Sequence, residues 1–315
     1  MKIVALLRPE CPRAFSEAFR FAATVAGFQG QVYSSPEEFQ AQSRTLSATE
    51  ELHYLFCTLD DREFAQALLS ERGFVHSVAT THKATLGDPE KRALQSGFAR
   101  HVLPFFDRPG SDQDLRERLL STFWRWKIPQ FKTLEHELPY ARVQRMQVHN
   151  SHQKDLVSQS VEEFLSQFAG LTSPRFKATF LPRALEVTDE LVQNAVAISC
   201  INQDSNFSLQ AEEAIDVTFG FDGGNFGVSV SDARGALLPW TFFRKALGHT
   251  GDTPSFENSR GPSLGLGLRS SLALSHSLTA QVAVGRFCCV TALVPYLRTT
   301  ADFDASPKRV EYFGL

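Results

Sequence analysis

The sequence contains no Cys-x-x-Cys pair. Its five cysteines are Cys11, Cys57, Cys200, Cys288 and Cys289. An odd number with a single vicinal pair excludes a disulfide framework and points to free, buried thiols in a reducing compartment. Cysteine and histidine are not clustered at ligand spacing, which excludes a structural zinc site. Neither sign of charge is in excess. Lys plus Arg number 32 and Asp plus Glu 35, for a net charge of −3. That balance excludes a general polyanion binder, so no nucleic-acid partner is expected. Long hydrophobic runs are missing as well. The run at residues 3–7 is too short for a signal-peptide core, and no later stretch reaches the roughly 18 residues of a membrane span. The expectation is a soluble, cytoplasmic protein without a membrane partner.

Phenylalanine is abundant, at 27 residues against 2 Met, 3 Trp and 5 Tyr. Phe is among the most often buried side chains, so it is expected to fill the cores. The length of 315 residues suggests about two domains. A chain of this size buries roughly three quarters of its unfolded surface and needs no metal or disulfide to fold.

Residues 1–127 alternate short apolar runs with amphipathic stretches. Strands are expected at 3–7, 32–33, 52–59, 74–79 and 101–106. A helix is expected over 13–26, where Phe15, Ala18, Phe19, Ala22 and Val25 share one face and Gly27 ends it. Further helices fit 64–73, 88–97 and 115–124. Alternating strands and helices imply an α/β, doubly wound parallel sheet. This order resembles the receiver domain of response regulators. A receiver needs an acidic pair after the first strand, an Asp at the end of the third and a Lys after the fifth. Here the first strand runs into Arg8, Pro9 and Glu10. The third ends at Phe56, Cys57 and Thr58, with Asp60 and Asp61 slightly late. The fifth ends at Leu103-Pro104-Phe105-Phe106 without Lys, and only Thr80 fits. The resemblance therefore implies a pseudo-receiver domain, used for protein contacts and not for phosphotransfer.

Residues 128–150 read as a linker or edge segment bracketed by Pro129 and Pro139, with imperfect alternation through Val143, Met146 and Val148. His136-Glu137 looks like the start of a sensor-kinase phosphoacceptor box. Pro139 would disturb a helix through it, and too little chain follows before the motif described next. His136 is read as an ordinary exposed histidine.

Residues 151–315 form the expected second domain. A helix fits 156–168, with Val157, Val161, Phe164, Leu165 and Phe168 on one face. Ser173-Pro174 reads as the start of another helix, which Pro182 should kink or split. In that helix Glu190 and Asn194 are four apart and share a face. A carboxylate can orient or deprotonate a water, and an amide oxygen can ligate Mg²⁺. Strands at 215–221 and 226–230 flank Asp222-Gly223-Gly224-Asn225, a hairpin signal. Asp232 follows with Gly235 nearby, and an Asp at a strand end can accept a hydrogen bond from an exocyclic amine. A Gly-, Ser- and Thr-rich loop at 248–263 leads into Leu264-Gly265-Leu266-Gly267-Leu268 and a helix over 269–278. Glycines opening a helix make a backbone anion site. Strands at 280–284 and 288–294 close the pattern.

This order of parts, over residues 151–296, resembles the GHKL (histidine-kinase-like) ATPase superfamily. The group includes sensor kinases, anti-sigma-factor kinases and gyrase-type ATPases. The resemblance implies an α+β sandwich of the GHKL type that binds ATP and Mg²⁺. Asn194 would ligate Mg²⁺ and Glu190 would be the catalytic carboxylate. Asp232 would bind the adenine amine, with Gly235 beside the base. Gly265, Leu266 and Gly267 would cradle phosphates through their backbone, and 248–263 would be the lid. Lys245, Arg260 and Arg269 are candidate charge partners. The chain departs from the family where Asp-x-Gly-x-Gly appears as Asp232-Ala233-Arg234-Gly235-Ala236. Ser263 stands two before Gly265 in place of Gly, and the late Gly-Thr pair is Phe287-Cys288. Two functions are expected to compete. One is an ATP/Mg-binding signal-transduction regulator that phosphorylates a separate protein partner, such as a regulator or sigma-factor-like target. The other is a non-catalytic nucleotide-sensing interaction module. A homodimer is compatible with either.

Overall fold

The structure is a computed structural model. It describes residues 2–6, 13–33, 35, 38, 52–58, 76–81, 91, 94, 101–104, 116, 119–120, 122–124, 126, 134–168, 176–200, 207–247, 266–296 and 308–314. The chain divides into two compact units, Met1–Gln130 and Phe131–Leu315.

The first unit is built on five parallel strands. These are β1 (Lys2–Leu6), β2 (Gln29–Tyr33), β3 (Leu52–Thr58), β4 (His76–Thr81) and β5 (His101–Pro104). Their spatial order is β2-β1-β3-β4-β5. Parallel neighbours need crossovers, and helix α1 (Arg13–Val25) is the crossover from β1 to β2. It buries Phe15, Ala18, Phe19, Ala22 and Ala23, the face that the periodicity predicts, while Val25 is exposed. Gly27 stops it at φ 76°, and the Phe28 N–H returns to the Ala23 carbonyl at 2.8 Å. Phe19 meets Phe123 edge-on at 5.4 Å between ring centres.

The second unit holds a six-stranded sheet in the order β11-β9-β10-β8-β7-β6. The strands are β6 (Arg142–Val148), β7 (Ile215–Phe221), β8 (Asn225–Asp232), β9 (Ser277–Ala283), β10 (Phe287–Pro295) and β11 (Arg309–Gly314). All neighbours are antiparallel except β11, which runs parallel to β9. The register puts Val217, Phe219, Val228, Val230, Val290, Ala292, Leu278, Ala280, Val310 and Tyr312 on one face. All are buried and apolar, apart from the tyrosine hydroxyl. The opposite face carries Ser229, Thr291, Ser277, Thr279 and Gln281, also buried, with a 2.6 Å hydrogen bond between the Ser229 and Thr291 hydroxyls.

Residues 134–148, expected as a linker or edge segment, belong to this second unit. Helix α2 (Leu134–Glu137) packs Leu134 against the polar face of the sheet, joined by Leu138. They come so near that a Cβ on Gly227 would lie 2.6 Å from Leu134 Cδ1. Strand β6 pairs along β7, with Val148 buried and Tyr140 just before it exposed.

Helix α3 (Ser151–Ser166) starts five residues before its expected start at 156. The start is set by capping: Asn150 Oδ1 accepts from the Gln153 N–H at 2.9 Å, and Gln153 Oε1 accepts from the His149 N–H at 2.7 Å. Residues 173–174 lie outside the described residues. A π-helical turn (Phe176–Phe180) precedes α4 (Leu181–Ser199), where Pro182 sits in the first turn. Pro182 thus splits the stretch, since its missing N–H is tolerated only at a helix start. Helices α5 (Pro239–Leu247) and α6 (Leu266–Leu274) follow. Helix α4 packs on β7, β8 and β10, and α6 packs on α4, α5, β9 and β10. Helix α6 and β9 both begin three residues before their expected starts. Among the described residues no helix is long and apolar enough to cross a membrane.

Candidate functional site

The apolar face of the sheet closes against α4, α5 and α6 around a pocket. Its walls are Leu191, Asn194, Ala195 and Ile198 from α4, Val230 and Asp232 from β8, and Cys288 and Val290 from β10, with Leu237, Lys245 and Leu268. Two residues singled out for opposite ends of a nucleotide, Asn194 and Asp232, therefore face one cavity. The cavity measures about 30 Å³, room for about two waters.

Asp232 ends β8 and is 4% exposed. Its Oδ1 accepts the backbone N–H of Arg234 at 2.8 Å and of Gly235 at 3.3 Å, the local turn that an Asp before Gly favours. The sheet register sets Cys288 directly opposite, and the Cys288 thiol donates to the Asp232 carboxylate. Burial pushes the Asp232 carboxyl up, and these hydrogen bonds oppose the shift. The Cys288 thiol is pushed well up by burial and then by the Asp232 and Cys289 charges. Its neighbour Cys289 faces the other side of the sheet and rises to about 12 through burial. Alternation across the pleat therefore keeps the vicinal pair apart.

On α4, the Asn194 Nδ2 donates to the Glu190 carbonyl at 2.8 Å. That bond orients the amide and leaves Oδ1 as its ligand-facing oxygen. The Glu190 carboxyl is raised by burial, then by Asp189 and Glu186. Gly267, in the first turn of α6, lies directly on both groups. A Cβ there would overlap the Glu190 carboxylate and stand 2.7 Å from Asn194 Nδ2. Leu266 opens α6, while Gly265, Arg260 and residues 248–263 lie outside the described residues. Arg269 points to solvent.

Lys245 reaches the pocket from α5. Burial lowers its pKa, followed by Arg244, with no carboxylate among the causes. A half-buried ammonium with no counter-charge among the described residues suits an anionic ligand group. Gly235 does not line the pocket. At φ 57° it packs on the β9–β10 turn, where a Cβ would fall 2.7 Å from the Phe287 N and 2.8 Å from the Arg286 N. Its lack of a Cβ is what lets the two backbones approach so closely there. Phe287 stays outside the pocket as well, and it is Cys288 that enters the wall.

Among the described residues no group of three His, Cys, Asp or Glu could hold a metal ion. A divalent cation at Asn194 would need further oxygens from a ligand, as Mg²⁺ commonly takes them from phosphates. In the first unit, Thr80 lies in β4 and Phe56, Cys57 and Thr58 lie in β3. Arg8, Pro9, Glu10, Asp60 and Asp61 lie outside the described residues.

The described residues of the two units thus define a parallel-sheet α/β unit and a mixed-sheet unit with helices on its apolar face. No protein-family profile matches the chain, and no curated protein matches it. Two solved structures of the chemotaxis response regulator CheY4 of Vibrio cholerae are similar to it, one of them crystallised at pH 4.0. Each is 13% identical and covers 38% of this chain and 96% of its own, with a TM-score of 0.28.

Proposed function

We propose that the second unit binds ATP with Mg²⁺ and acts as a signal-transduction regulator that phosphorylates a separate protein. One observation carries this reading: Asn194, Asp232 and Lys245, from three separate stretches, line one pocket with Gly267 packed against Glu190 at its side. Their chemistry suits a nucleotide. A buried carboxylate accepts from an exocyclic amine, an amide oxygen offers a metal ligand, and a half-buried ammonium meets phosphate. Mg²⁺, when bound, neutralises phosphate charge. Glu190, with its raised pKa, is the group to accept a proton from the partner's hydroxyl. The first unit serves as a receiver-like contact domain. The parallel order β2-β1-β3-β4-β5 supports this, since it is the order of doubly wound domains with their sites at the strand ends.

The narrow cavity favours a second reading, a nucleotide sensor without turnover. In that reading, ligand entry moves the helices and changes a protein-binding face. Thermal shift with Mg²⁺-ATP tests the shared part. The wild type gains melting temperature, and Asn194→Ala and Asp232→Ala lose most of that gain. No gain at millimolar nucleotide overturns both readings. Turnover that disappears in Glu190→Ala selects the first, and binding without turnover selects the second.

A further inference from the structure

Strand β11 falls outside every part of the nucleotide reading. It follows the closing strands and joins β9 in parallel. Tyr312 of this strand and Lys308 just before it nevertheless reach two of the three helices around the pocket, α5 and α6. Tyr312, 2% exposed, donates its hydroxyl to the Leu237 carbonyl at 2.8 Å, and Leu237 is a pocket wall. The Tyr312 ring packs on Phe242 and Phe243 of α5, at 6.0 and 6.3 Å between ring centres. Those two phenylalanines sit in the same helix as Lys245. The residue before β11, Lys308, donates to the carbonyls of Leu272, Ala273 and Ser275 at 3.0, 2.9 and 2.7 Å. These are the open carbonyls at the C-terminal end of α6, where a cation is favoured by the helix dipole. The other end of α6 carries Gly267 against Glu190 and Asn194. Arg309 anchors the strand itself, through Glu137 Oε2 at 2.7 Å and Ser277 Oγ at 2.9 Å.

We propose that β11 is a brace for the pocket, with Tyr312 and Lys308 as positioning residues that hold α5 and α6 in the binding arrangement. The proposal rests on the nucleotide reading for its ligand, Mg²⁺-ATP. Neither residue touches the cavity, so each acts through the helix it holds. Tyr312 sets Leu237 and the angle of α5, and Lys308 sets the pitch of α6 from its far end.

The test uses the full chain with Tyr312→Phe, which keeps the ring, and Lys308→Met, which keeps the stem. Phe313→Leu is the control, because Phe313 lies on the opposite face of the same strand in register with Gln281. Calorimetric titration with Mg²⁺-ATP should show roughly three- to ten-fold weaker binding for each of the first two variants, which equals about one net hydrogen bond transmitted to the pocket. Phe313→Leu should lower the melting temperature and bind like the wild type. Wild-type affinity in Tyr312→Phe and Lys308→Met overturns the brace. So does an equal loss in Phe313→Leu, which would mark a general loss of stability. If the wild type itself does not bind ATP, the nucleotide reading fails and amide hydrogen exchange decides the brace alone. Faster exchange in residues 239–247 and 266–274 in the first two variants, beyond that in Phe313→Leu, supports it. Equal exchange overturns it.

Discussion

Gly267→Ala separates binding from stability more sharply than any other substitution in this pocket. The new methyl group would overlap the Glu190 carboxylate and crowd Asn194 Nδ2 at 2.7 Å. Both obstructions are ends of side chains, so they can swing away. Ala gains up to about 1 kcal/mol over Gly in a helix. Turning the Asn194 amide loses its bond to the Glu190 carbonyl, at about 1 kcal/mol. The two nearly cancel, and the melting temperature of the ligand-free protein should move by no more than about 4 °C. The displaced side chains are, however, the two proposed to handle the metal and the proton, and turning the Asn194 amide moves its Oδ1 as well. Mg²⁺-ATP binding measured by calorimetry should therefore weaken at least about ten-fold, which is about 1.4 kcal/mol. A large fall in melting temperature would show that α6 cannot yield as the packing implies. Unchanged affinity would show that Glu190 and Asn194 take no part in binding.

Gly235→Ala should behave in the opposite way. Its Cβ meets backbone at a positive φ, nothing nearby can swing aside, and about 3 kcal/mol or more of stability should be lost in urea unfolding. Asp232 gives a pH signature. Its pKa is raised in the folded state, so its stabilising share is present below the unfolded value of 3.8 and is lost as pH rises through the folded value. Asp232→Asn should then match or exceed the wild type in stability at neutral pH, with the gap closing in acid, while nucleotide binding falls. Acetyl phosphate should not label the first unit, and stable labelling at Asp60 or Asp61, read by mass spectrometry, would refute its description as a contact domain.

Much of the second unit was legible because its signals are local. The apolar period of α4 carries Glu190 and Asn194 to one face, and Asp222-Gly223-Gly224-Asn225 marks its hairpin, with Asp222 Oδ1 taking the Gly224 N–H at 2.8 Å. What was missed depends on pairs distant in sequence. Gly235 meets the turn at Arg286 and Phe287, which nothing adjacent announces. The Cys288 thiol finds Asp232 only through the register of β8 and β10. Strand β11 escaped notice although Val310 and Tyr312 flank Glu311 in alternation, because six residues alone cannot reveal a strand whose partner is β9. Ser277, Thr279 and Gln281 likewise disguised the start of β9, since its second face is buried and polar.

The central claim is that Asn194 and Asp232 serve one Mg²⁺-dependent nucleotide. Calorimetric titration of the full chain with ATP, with and without Mg²⁺, tests it most directly. The account predicts saturable one-site binding that Mg²⁺ strengthens, a Mg²⁺ effect that vanishes in Asn194→Ala, and binding that collapses in Asp232→Ala with or without the metal. Binding that ignores both substitutions, or no binding at millimolar ATP, would contradict it.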